Sequence, residues 1–237
     1  MCPGNHDFSY HKNDLNNDEQ PCALLPEYAI AYSDFYKMIY KINPNSFFAS
    51  GKKILLSSGI TVDIACLNSL YLQQYPNFRG HGYISEEQLS YVKKEMGWDN
   101  RQTENTIRIA IMHHHYLPTC KVEKIDIKKP SSVVYDANRL MGWLIENDVK
   151  VLLHGHKHTS FHAYLNYPSK NQDENNKRKG IAVLGLGSTA YKNSKNVVAV
   201  VKILRDGLKI QLFELHSEGT EDDNLIQEFC LPLGVSI

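Results

Sequence analysis

Charge of one sign is missing from this 237-residue chain: 26 Lys and Arg stand against 26 Asp and Glu. No overall field therefore draws it to nucleic acid or to an anionic membrane surface. Long hydrophobic runs are missing too; none approaches the ~20 residues that span a bilayer, and no signal-peptide pattern is present. The cytoplasm is the default expectation. Cysteine is sparse: Cys2, Cys22, Cys66, Cys120 and Cys230 are scattered, odd in number and form no C-x-x-C pair. That pattern argues against a disulfide scaffold and against a thiolate zinc site. What remains is 42% hydrophobic content, enough for one domain over residues 1–237 with a substantial core.

The chain does contain clustered histidine. Val149, Val151, Leu152 and Leu153 read as a buried strand running into His154, Gly155, His156, Lys157 and His158. Residues two apart in an extended chain point the same way, so His156 and His158 can converge on one site. Gly155, without a Cβ, lets other loops or a metal approach the backbone. Taken alone, an H-x-H pair reads equally as two surface histidines. A second strand, Thr106 to Met112, ends in the same manner at His113, His114 and His115. The helix expected over Val133 to Asn147 makes the two strands a βαβ unit, which places both histidine tips on one sheet edge. At the start of the chain, Pro3-Gly4 forms a turn that presents Asn5, His6 and Asp7. Imidazole nitrogen with amide or carboxylate oxygen suits divalent Zn, Mn, Fe or Co.

These blocks carry a resemblance. GNHD at 4–7, MHHHYLP at 112–118 and GHKH at 155–158 resemble, in order and spacing, the last three signature blocks of the calcineurin-like metallophosphoesterases. Leu67-Asn68-Ser69, Gly80 to Ser85 and Glu87-Gln88-Leu89 are similar to a segment of the cyclic-nucleotide-phosphodiesterase-like branch, and Leu184 to Ser188 resembles the strand end that follows GHxH. The resemblance implies an α/β fold: a metallo-dependent phosphatase-like sandwich of two mixed β-sheets flanked by helices. It implies hydrolysis of a phosphate mono- or diester, a small-molecule substrate, by a hydroxide activated between two divalent metals. Carried over residue by residue, Asn5, His113 and His156 bind one metal and His158 binds the other. His114 is the alternative to His113. His6 serves as general acid toward the leaving-group oxygen, and Asp7 either orients His6 or stabilises the turn.

The family's opening blocks, Asp-x-His and Gly-Asp, occur nowhere in the chain, so it looks like the carboxyl-terminal part of a domain. Both blocks supply metal ligands, and the expectation is about one bound metal with impaired turnover. The competing readings are a non-catalytic metal-binding or regulatory remnant of the same fold, and a structural metal site in an unrelated α/β domain.

Elsewhere, Pro26 opens a helix whose apolar face comprises Tyr28, Ala31, Tyr32, Phe35, Met38 and Ile39. Lys53–Ser57 and Thr61–Leu67 form strands turning at Ser58-Gly59. Ser85 caps a helix, with Gln88 completing a capping box. Phe161–Tyr167 and Gly180–Gly187 are further strands, Val197–Leu204 with Leu208–Leu215 a hairpin, and the tail from acidic Glu218 onward a frayed end.

Overall fold

Four apolar runs too short for helices and too continuous for half-exposed strands dictate the centre of the molecule. Runs of that kind are buried on both faces, as in parallel sheets covered on either side. The structure, a computed structural model, describes residues 1–4, 8, 29–71, 80–99, 105–117, 133–156, 160–167, 179–186, 196–204, 207–215 and 224–232. In chain order its elements are α1 (Ile30–Tyr40), β1 (Ser50–Leu55), β2 (Thr61–Cys66), α2 (Glu86–Glu95), β3 (Thr106–Ile111), α3 (Ala137–Glu146) and β4 (Val149–His154). Then come β5 (Phe161–Tyr167), β6 (Lys179–Gly185), β7 (Asn196–Ile203), β8 (Gly207–Leu215) and β9 (Asn224–Pro232).

Six strands form one sheet in the order β1-β2-β3-β4-β6-β5, and three form a second in the order β7-β8-β9. The central strands β2, β3, β4 and β6 run parallel, with β1 and β5 antiparallel at the edges. Alternation divides the large sheet into two faces. Ala65, Ala110, Met112 and Leu152 pack under Leu89, Val92 and Met96 near α2 and Leu140 and Leu144 of α3. On the other face Val62, Ile107, Ile109, Val151 and Leu184 meet Leu208, Ile210 and Leu212 of β8. The result is helices, sheet, sheet: a mixed α/β sandwich of the expected class.

Three local expectations are corrected. The periodic stripe of α1 faces the core only at Tyr32, packed with Phe8, Ala29 and Phe48, while Phe35, Met38 and Ile39 are exposed. Tyr28 lies outside the described residues. The helix before β4 begins at Ala137 rather than Val133, because Val133 and Val134 are extended and bridge to His115 and Gly82. The tail is not frayed throughout, since β9 pairs along β8 from Asn224 to Pro232.

Candidate metal centre

Strands β3 and β4 are neighbours in parallel register, with Ile111 beside Leu153, so their carboxyl ends stop at the same edge. The ladder continues past both strands: Met112 N–H donates to Leu153 O and Gly155 N–H to His113 O, each at 3.0 Å. Those bonds seat the two histidine tips side by side. His113 Nε2 and His156 Nδ1 lie 2.8 Å apart, one ring nitrogen donating its proton to the other. His156 adopts a left-handed backbone, φ 76°. For a residue bearing a Cβ that conformation costs on the order of 1–2 kcal/mol, the kind of strain that collects at functional sites. A Cβ at Gly155 would meet among its described neighbours only His113 O, at 3.9 Å.

The pair fits a divalent ion as adjacent ligands. Nitrogens bound at about 2.0–2.1 Å are separated by about 2.9 Å when their bonds are at right angles and about 3.4 Å in a tetrahedron. The remaining proposed donors, Asn5 and His158, and the proposed acid His6 lie outside the described residues, as does Asp7. Among the described residues no group of three or more His, Cys, Asp or Glu is arranged to hold a metal.

Behind the pair sits His114, with its ring centroid 5.1 Å from that of His113 and 4.8 Å from that of His156. It is fully buried, and burial, reinforced by the neighbouring imidazoles, holds its pKa well below the ordinary imidazole range. His115 and His154 form a second buried pair, ring centroids 4.6 Å apart, beside Phe161. Burial first, then His115, pushes the His154 pKa down to about 3, and its two ring nitrogens have no hydrogen-bond partner among the described residues. His81 comes from the loop before α2, its pKa also lowered by burial. At neutral pH His114 and His154 are therefore uncharged imidazoles.

Three residues that support this cluster escaped the sequence reading. Ser69 Oγ lies 2.9 Å from His114 Nδ1 and accepts from the His114 backbone N–H at 3.2 Å. Gly82 leaves room for that ring, since a Cβ there would stand 2.7 Å from His114 Cβ. Gln88 stands at the spacing of a capping box with Ser85. Ser85 does accept from Gln88 N–H, but the Gln88 amide turns inward, taking Asn68 N–H at 2.7 Å and donating to Asn68 O at 2.9 Å. The only signals were their places in family-like segments, Leu67-Asn68-Ser69 for Ser69 and Gly80 to Ser85 for Gly82.

A cleft of about 310 Å³ lined by Glu86, Lys93, Arg139 and Trp143 lies between α2 and α3, and no histidine lines it. No helix among the described residues is long and apolar enough to cross a membrane.

No curated protein matches the chain. A crystal structure from Streptococcus pneumoniae TIGR4, of a conserved uncharacterized protein described as a predicted phosphoesterase, is 17% identical over 41% of this chain and 49% of that one, with a TM-score of 0.25. The chain thus spans about half the length of that protein, and at such a score the likeness carries no argument about fold or function. A family model does match: residues 1–160, which take in all three histidine-bearing blocks, fit that of the calcineurin-like phosphoesterases. With that match over more than half its length, the chain belongs to the calcineurin-like phosphoesterase family.

Proposed function

We propose that this chain carries the histidine-rich half of a phosphoester hydrolase site, and that by itself it binds about one divalent metal and turns over phosphate esters slowly. The observation that carries the reading is the 2.8 Å approach of His113 Nε2 to His156 Nδ1 at the ends of two adjacent parallel strands. His113 and His156 would hold the ion, with the Asn5 side-chain oxygen as third ligand. His158 is assigned to a second position that lacks its other ligands. When bound, a divalent ion supplies Lewis-acid polarisation of a phosphoryl oxygen. The residues do the rest: His6 holds a proton for the departing oxygen, and the wall of buried His114, His115 and His154 keeps bulk water from the rear of the cluster.

The substrate class is a phosphate mono- or diester small molecule, and the Leu67 to Leu89 segment favours the phosphodiester branch. Mn, Fe, Zn and Co all accept this donor set. Calorimetric titration with Mn or Zn, alongside hydrolysis of bis-p-nitrophenyl phosphate, tests the proposal. One site per chain, lost in His156→Ala, with feeble turnover is expected. Two tight sites with brisk turnover would refute the impairment, and no binding at all would refute the centre.

The absence of any Asp-x-His or Gly-Asp in the sequence favours a second reading, a metal-binding remnant of the fold without hydrolytic activity. The same hydrolysis assay separates the two. Turnover above the metal-only rate that vanishes in His6→Ala supports the hydrolase, and its absence in a metal-loaded chain supports the remnant.

A further inference from the structure

The position of one proton at the histidine cluster follows from the Ser69 hydroxyl. Its oxygen accepts the His114 backbone N–H at 3.2 Å and lies 2.9 Å from His114 Nδ1. The serine is fully buried, so its own O–H must find an acceptor inside the protein or stand unsatisfied, at a cost of roughly 1–3 kcal/mol. Among the described residues the one acceptor within reach of that hydroxyl is His114 Nδ1. A neutral imidazole has one N–H and one lone pair. If Nδ1 receives the serine proton, Nε2 carries the ring proton.

We infer that Ser69 is a positioning residue that fixes His114 as its Nε2–H tautomer, so that His114 does not compete with His113 and His156 for the metal. A ligand needs a lone pair, and Nε2 in this tautomer has none to offer. The consequence for the metal rests on the reading proposed above; the tautomer itself does not. The arrangement is built from several sides. The Gln88 amide clamps Asn68 through two hydrogen bonds, which places Ser69, and the missing side chain at Gly82 leaves the His114 ring its room. Leu70 N–H bonds to Asn68 Oδ1 at 3.0 Å and completes the turn. A chain of contacts thus runs from α2 through the Asn68-Ser69 turn to the ring behind His113 and His156.

The test is a long-range ¹H–¹⁵N correlation of the imidazoles in the full chain, with His114 assigned by the signal lost in His114→Gln, recorded before and after addition of zinc chloride. The expected spectrum shows His114 as the Nε2–H tautomer, unchanged by zinc, while His113 and His156 move to metal-bound shifts. In Ser69→Ala the Nε2–H preference is lost, and the His114 signal now responds to zinc, because a ring lone pair becomes available to the metal. An Nδ1–H pattern in the unmodified chain, a His114 signal there that moves onto zinc, or a Ser69→Ala protein that keeps the pure Nε2–H form would each overturn the inference. Should Ser69→Ala not fold, the unmodified chain's spectrum decides. A spectrum with His114 as the Nε2–H tautomer but no zinc response at His113 or His156 would leave the tautomer standing and remove the metal-centre reading instead.

Discussion

His156 combines two demands that one side chain satisfies at a cost: it delivers a ring nitrogen to His113 and accepts a left-handed backbone to do so. Separating the two is straightforward. His156→Ala and His156→Gly both remove the imidazole, but only glycine takes φ 76° without a Cβ penalty. The glycine variant should be the more stable by about 1 kcal/mol in urea unfolding. A more stable alanine variant would mean that the backbone there is not left-handed in solution. His154 sets a second test, through acid. Its folded pKa of about 3 lies below the value near 6.5 expected when unfolded, so its contribution to stability is fully present above about pH 6.5 and is lost as the pH falls toward 3. Such a group removes about 1.4 kcal/mol per pH unit in that window. His114, shifted the same way, adds to the slope. His154→Leu should be close to neutral at pH 7.5 and more stable than the unmodified chain at pH 5.5, since leucine has no proton to take up on unfolding. Parallel stability curves for the two proteins across that range would dismiss the argument. At this scale the sequence disclosed the histidines readily, because their clustering after apolar runs is conspicuous. It did not disclose Ser69 or Gly82, whose importance lies in contacts with His114 some 30 to 45 residues away along the chain.

Among the elements, α1 shows how periodicity finds a helix without finding its inner face. The one apolar face read from the sequence holds Tyr32 together with Phe35, Met38 and Ile39. Packing against Phe8 and Phe48 buries Tyr32 alone of these. Tyr32→Ala should cost about 3 kcal/mol, whereas Met38→Ser should stay within about 0.5 kcal/mol. Equal losses in denaturant midpoints would restore the sequence-based face. β9 escaped notice for a related reason. Gln227 and Glu228 interrupt its apolar run, and the strand becomes visible through its partner: Gln211 Nε2 donates to Glu228 Oε2 at 2.7 Å, and Lys209 meets Glu228 at 2.8 Å. Gln88 likewise sits at the right spacing for a capping box, but the backbone of the Asn68 turn claims its amide. Local spacing names the element; long-range competition for the side chain settles its use.

For the molecule as a whole, the βαβ unit is the most informative part of the sequence, because handedness and parallel pairing leave the two histidine tips nowhere to go but the same edge. The pairing of β3 with β4 through α3 is that arrangement. The position of the small sheet against Ile107, Ile109 and Val151 was not legible, since nothing local in β8 specifies which face of the large sheet it covers. If the centre holds zinc, binding is linked to folding. Zinc at 100 times its dissociation constant should raise the unfolding free energy by about 2.7 kcal/mol, and a chelator should return it to the starting value. A melting temperature indifferent to zinc would contradict this.

The hydrogen bonds that extend the β3–β4 ladder as far as Gly155 tie both jaws of the histidine pair to one rigid plank. Adjacent strands stand about 4.8 Å apart and do not spread without breaking that ladder. The bite of the chelate is therefore set by the sheet and not by the ion, and a cation as large as calcium, which wants long bonds to many oxygens, should find the jaws too narrow to open.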